Sequence, residues 1–196
     1  MPVTPRRSSG VNKIAFGAVF AALACVLLLV GGVFELLDMT SAAAASAAVL
    51  AAGVLFGQKS GFSVYAVSAV LTLILMPSAS STIYYALLFG YYPIFKLWAD
   101  TKMKKKLYRV VSKLAVFNLG VAAVAALFVK LYGFEAVLAE FSIPGVSIPA
   151  FLVGFFVLLN IFLFAYDRLL TYGAFLIFRF TRGKKSGKTE PPPKKP

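Results

Sequence analysis

The sequence has no histidine, one cysteine, one tryptophan and seven acidic residues set against 20 lysines and arginines. Without histidine, the commonest metal ligand and the commonest general base are missing. The lone Cys25 cannot form an intramolecular disulfide. Lying within an apolar run, it reads as a small buried apolar side chain. No GxSxG, HExxH or P-loop pattern occurs, and no nucleophile stands beside a base in any known arrangement. No catalytic residue, metal site or cofactor is therefore expected, and the chain is not expected to be an enzyme. Charge is scarce too: 14% of residues are charged, where a soluble domain carries about 25%.

Apolar sequence fills the space that charge leaves. Hydrophobic residues make up 60% of the 196, above the roughly 45–50% of soluble domains, and mean hydropathy is +0.86. A water-soluble core cannot bury this surplus, so lipid must cover part of it. The expected fold class is an all-α membrane protein, a bundle of about six transmembrane helices. Residues 1–13 read as a basic cytoplasmic arm, 14–178 as the transmembrane domain and 179–196 as a disordered basic tail.

The apolar segments span residues 14–34, 41–56, 62–76, 83–98, 114–132 and 148–178. The first exceeds the roughly 7–15 apolar residues of a signal peptide, so it is expected to stay as an uncleaved helix. The second is short and alanine-rich, which suits close helix packing. A polar turn is expected at Gly57-Gln58-Lys59-Ser60-Gly61. Pro77 ends the third segment, and Pro93 is expected to kink or end the fourth.

The net charge is +13, yet the cations lie at segment ends and in the tail, not along a polar face with interleaved aromatics. That distribution points to topology and anionic lipid, not to nucleic acid. With both termini in the cytoplasm, Lys130 alone of the 20 lysines and arginines falls outside. The outer connections then hold Glu35, Asp38, Glu135 and Glu140. Removing the weak second segment would move Lys59 and the 102–113 stretch outside, so the charge pattern supports the count of six. The expected location is a cell membrane, crossed several times, most simply a bacterial one.

Three groups of residues invite a function. Ala18 and Ala22 lie four apart, as do Gly17 and Ala21, so each pair shares a helix face. Such a face either packs within the bundle or docks another membrane subunit. Glu35, Asp38, Ser81, Tyr84, Tyr85, Glu135 and neighbouring polar residues gather near the expected outer ends. They read equally as a ligand pocket with aromatic walls or as ordinary polar loops and interfacial tyrosines. Asn118 and Asn160 lie inside apolar segments, where interhelical hydrogen bonding is expected. Asp167 and Arg168, near the inner end, read as a local ion pair.

The layout resembles an S component of the energy-coupling factor (ECF) transporters over about residues 13–180. The resemblance rests on the AxxxA-type pair Ala18 and Ala22, on the turn from Phe56 to Gly61, and on a basic loop after the fourth of six segments. It implies a substrate-binding membrane subunit that takes a vitamin-like micronutrient from outside. It implies partners as well: a transmembrane coupling subunit, met through Ala18 and Ala22, and two separate ATPase subunits. The ligand would lie among the outer residues named above, with Asn118 and Asn160 as intramembrane polar candidates. The missing histidine argues against the nickel and cobalt members of that family. Trp98, at the inner end, argues against stacking of a thiamine ring on outer tryptophans. A rival reading is a membrane scaffold of cell-wall and rod-shape assembly, with protein partners and no small-molecule substrate.

Overall fold

The computed structural model describes residues 8–140 and 147–186. Among these residues the chain is almost entirely helical, with no strand. Five helices are long and apolar enough to cross a membrane: Lys13–Val33, Asp38–Phe56, Gln58–Leu75, Lys106–Tyr132 and Phe151–Arg179. Large apolar side chains stand exposed along them, among them Ile14 and Val33 on the first, Ile74 on the third and Val153, Leu158 and Leu169 on the last. A surface this continuously apolar is one that lipid covers. The chain is an all-helical, membrane-spanning protein.

Helix α1 runs over Ser8–Val33, so helix begins inside the expected arm. A 3-10 turn at Glu35–Leu37 leads into α2, Asp38–Phe56, and α3 follows at Gln58–Leu75. The expected five-residue turn before α3 shrinks to Gly57 alone. Gly57 adopts φ +98° and ψ 163°, a conformation essentially closed to residues bearing a Cβ. Its carbonyl accepts from the N–H groups of Ser60 and Gly61, so the rest of the expected turn is already the first turn of α3.

The fourth segment differs most from expectation. It is not one helix but three pieces: α4 at Ser80–Tyr84, a π-helical turn at Tyr85–Phe89, and α5 at Tyr92–Lys102. The Gly90 N–H reaches back to the Tyr85 carbonyl at 2.7 Å, closing the wider turn. Pro93 opens α5 in its first turn, where a missing N–H loses no helical bond. Proline thus starts a helix here as well as ending one. Helix α6 spans Lys106–Tyr132, short α7 spans Phe134–Glu140, and α8 runs unbroken over Ile148–Ser186. Its 39 residues extend past the expected end of the last crossing and into the expected tail. Pro144, in the connection before it, lies outside the described residues.

The weakest segment by hydropathy is the centre of the bundle. Helix α2 packs against α1, α3, α4, the π turn, α5 and α8. Ser41, Ala42, Ala45, Ser46, Ala48, Val49, Leu50, Ala52 and Gly53 are all buried on it. Small side chains permit this because neighbouring backbones can come close. Backbone meets backbone where α2 crosses α3: a Cβ on Gly61 would lie 3.1 Å from the Gly53 Cα and 3.2 Å from the Val49 carbonyl oxygen. Helices α6 and α8 are attached more thinly. Lys113, Phe117, Gly120 and Val124 form one buried stripe on α6, and Leu163, Tyr166 and Leu170 form one on α8.

Because backbone, not a movable side chain, faces Gly61, Gly61→Leu should lower stability by about 1–3 kcal/mol, the usual cost of overpacking. Gly154, with nothing within 4 Å of its would-be Cβ, should accept alanine without loss. Thermal unfolding of both variants in detergent checks the contrast.

Candidate functional site

At the expected outer end, the candidate polar residues are bound into the fold. Ser81 Oγ donates to the Leu28 carbonyl at 3.1 Å, tying α4 to α1. The Tyr85 hydroxyl lies 2.6 Å from Ser68 Oγ, and its fully buried ring packs against Tyr65. Tyr84 is half-buried and stacks on Phe128, with ring centroids 5.7 Å apart. Asp38 opens α2, Glu35 lies in the 3-10 turn, and Glu135 is exposed on α7. An open depression of about 500 Å³ at this end is lined by Val33, Phe34, Leu36 and Leu37, all apolar. The polar atoms of Ser81 and Tyr85 thus hold helices together.

Asn118 and Asn160 hydrogen-bond between helices, as expected, and each finds its partner in the other. Asn118 Nδ2 donates to Asn160 Oδ1 at 3.0 Å, joining α6 to α8. Each side chain also donates to the carbonyl one turn before it, Leu114 and Phe156 respectively.

Along α1, Ala21, Ala24, Cys25 and Leu28 face the core. Ala18 and Ala22 lie beside this face and are exposed. Of the two readings of this pair, packing within the bundle is not what the fold shows: the bundle leaves both residues uncovered.

The densest polar cluster lies at the other end, where sequence reasoning expected only a local pair. Asp167 does not turn to Arg168. Adjacent residues on a helix point apart, and Arg168 is exposed. Asp167 Oδ1 instead accepts from Lys96 Nζ at 2.7 Å and from the Tyr92 hydroxyl at 3.1 Å, both on α5. Lys113 Nζ, on α6, lies 3.2 Å from the same oxygen and 2.8 Å from Asp100 Oδ1. Lys96 also donates to Thr171 Oγ1 at 2.8 Å and faces Asp100 at 3.6 Å. Arg109 Nε stands 3.7 Å from Asp100, and its Nη2 donates to the Met103 carbonyl.

Two lysines and two aspartates from three helices thus form a closed, charge-balanced group, with Arg109 at its edge. The Lys96 side chain is 3% exposed and that of Lys113 10%, so neither ammonium draws much on water. Burying such a charge is tolerable only when it is paired and hydrogen-bonded, as both are here. The signal was present in the spacing. Tyr92, Lys96 and Asp100 recur every four residues, as do Arg109 and Lys113, and Asp167 and Thr171. Each set therefore lines one helix face.

Among the described residues, no three His, Cys, Asp or Glu side chains gather as a metal ion would need. No protein-family model, curated protein or solved structure matches the chain.

The two polar junctions should differ in strength. Removing one partner of a buried ion pair costs about 3–5 kcal/mol. A membrane interhelical hydrogen bond contributes about 0.6 kcal/mol, rarely above about 1.7. Asp167→Asn should therefore destabilise the detergent-solubilised protein well beyond Asn118→Ala. Equal shifts in unfolding midpoint would contradict the assignment of Asp167 as the centre of the cluster.

Proposed function

We propose that the chain is the substrate-binding membrane subunit of an ECF-type importer, capturing a vitamin-like micronutrient at the outer face of a bacterial cell membrane. In this reading the five long helices and the broken Ser80–Lys102 region make six crossings, with both termini in the cytoplasm. Release inside is driven by a transmembrane coupling subunit and two ATPase subunits, all separate chains.

The observation that carries the reading is the exposure of Ala18 and Ala22. The resemblance assigns docking to this face, and the bundle leaves it open while burying Ala21, Ala24 and Cys25 one step around the same helix. The charge distribution supports the orientation. The Lys96–Asp167 end carries the 102–113 basic stretch, and the opposite end carries Glu35, Asp38 and Glu135.

One observation favours the scaffold of cell-wall assembly as the second reading. Ser81 and Tyr85 are engaged within the fold, and the outer depression is lined by apolar side chains. A protein partner needs no polar pocket.

Mass spectrometry of the small molecules released on denaturing the purified protein separates the two. The importer reading expects a stoichiometric vitamin-like compound, and the scaffold expects none. Under the importer reading, Ala18→Leu combined with Ala22→Leu abolishes uptake in cells carrying the coupling subunits and leaves ligand binding unchanged. Uptake by the double variant equal to that of the parent would remove the docking role.

A further inference from the structure

The connection between α5 and α6 carries Lys102, Lys104, Lys105 and Lys106, all four exposed. The acid nearest to them in sequence is already engaged. Asp100 faces Lys96, Arg109 and Lys113, and Asp167 takes Lys96 and Lys113 as well. Among the described residues, no ion pair reaches any of the four exposed lysines. The buried cluster thus consumes the acids of this end and leaves the connection with four uncompensated positive charges.

The connection is also held in place. The Met103 N–H donates to the Ala99 carbonyl at 3.0 Å. The Met103 carbonyl accepts from Arg109 Nη2 at 2.8 Å, and its sulfur accepts from Ser112 Oγ at 3.2 Å. The lysines therefore spring from a fixed corner of the chain, and little backbone entropy is lost when something binds them.

The neighbouring side chains say what that something is. Lys105 Nζ stands 5.7 Å from the centre of the Tyr108 ring. Tyr108, Val111, Ala115 and Leu119 follow at three- and four-residue spacing, so they share one face of α6, and all are exposed. At about 1.5 Å per residue, this face is about 16 Å long. That is the depth of one leaflet of a hydrocarbon core about 30 Å thick. On the α5 side, Trp98 is exposed one turn before Lys102, as suits a side chain at the headgroup boundary. A free anion would use the lysines and leave the apolar face idle. A phospholipid with a negative headgroup complements both.

We propose that Lys102, Lys104, Lys105, Lys106 and Tyr108 hold the headgroup of an anionic phospholipid, with an acyl chain lying along Val111, Ala115 and Leu119. The attraction expected from the overall charge distribution is spread over every basic end, whereas this site is one place on the bundle. It needs neither the importer nor the scaffold reading.

Trp98 is the only tryptophan, so its fluorescence reports this end alone. The full-length protein is reconstituted in phosphatidylcholine bilayers with increasing amounts of phosphatidylglycerol brominated high on its acyl chains. A parallel series uses brominated phosphatidylcholine with the same chains, and quenching by bromine reads occupancy beside Trp98. Phosphatidylglycerol should be preferred by about fivefold or more, the factor that a single lysine beside an anionic surface contributes. Lys102→Gln, Lys104→Gln, Lys105→Gln and Lys106→Gln together should bring the two lipids to equality. Arginine at the same four positions should keep the preference. Lys13→Gln with Lys59→Gln, which removes two exposed lysines from the same expected side, should leave it unchanged.

Equal quenching by the two lipids in the parent protein would overturn the site. So would a loss in the Lys13 and Lys59 variant as large as that in the four-lysine variant, because the attraction would then be diffuse. Loss of the preference in the arginine variant would show that charge is not what binds. Relief of quenching by inorganic phosphate, exchanged for chloride at equal ionic strength, would make a free anion the occupant and remove the lipid.

Discussion

The bundle depends on how little side chain α2 carries. Lipid offers apolar side chains nearly the same surroundings as a neighbouring helix does, so membrane helices gain little by merely hiding apolar area from one another. They must approach closely enough for dispersion and hydrogen bonding to decide. On α2 the buried positions are mostly alanine, serine and glycine, and α1, α3, α5 and α8 all reach it. Where α2 meets α1, a Cβ on Gly31 would lie 2.6 Å from the Ser41 Cβ. Where it meets α8, the Ser46 and Tyr166 hydroxyls hydrogen-bond directly. A larger side chain at any of these points would push two helices apart and loosen the contacts beyond them.

The thin attachment of α6 and α8 follows from the same constraint. One narrow helix cannot offer its whole circumference to every neighbour. The α1–α2–α3 group takes the closest approach, and the remaining long helices are held by specific polar contacts. Asn118 and Asn160 tie α6 to α8 near mid-helix, and the lysine–aspartate cluster ties both to α5 at one end. Polar contacts are well suited to this because they fix rotation and register, which a smooth apolar stripe does not. The position of Lys113 on the same α6 stripe as Phe117 and Gly120 means that the ionic and apolar contacts set one rotation between them.

Much of this was legible in the sequence, and for definite reasons. Apolar run length gave the long helices, because helical rise converts directly into membrane thickness. The alanine content of residues 41–56 foretold close packing, and the two intramembrane asparagines foretold a hydrogen bond, because hydrocarbon offers them no other partner. The break in the fourth segment was hidden. Tyr85–Phe89 has no glycine or proline within it, and a π turn is fixed by tertiary packing around Gly90 and Tyr65 rather than by composition. The expected pocket was blurred for a related reason. Run lengths place Ser81 and Tyr85 near an end of the bundle, but only packing decides whether a hydroxyl points to solvent or to Leu28 and Ser68. The charge cluster was missed by reading Asp167 beside its neighbour in sequence instead of by its four-residue spacing.

The exposed alanines of α1 bear on which kind of partner this protein meets. A face in contact with fluid acyl chains has no fixed shape to complement, so nothing about lipid favours small side chains over large ones. Apart from Ala15, the other apolar side chains exposed between Ile14 and Val26 are large: Ile14, Phe16, Val19, Leu23 and Val26. Ala18 and Ala22 interrupt that surface with small side chains one helical turn apart. The importer and scaffold readings both supply a protein at this strip. They part at the opposite end of the argument, over whether the bundle also admits a small molecule. A scaffold has no use for an interior that opens, whereas an importer subunit must release what it holds. The lysine–aspartate cluster does not separate them, since it ties α5, α6 and α8 together under either reading.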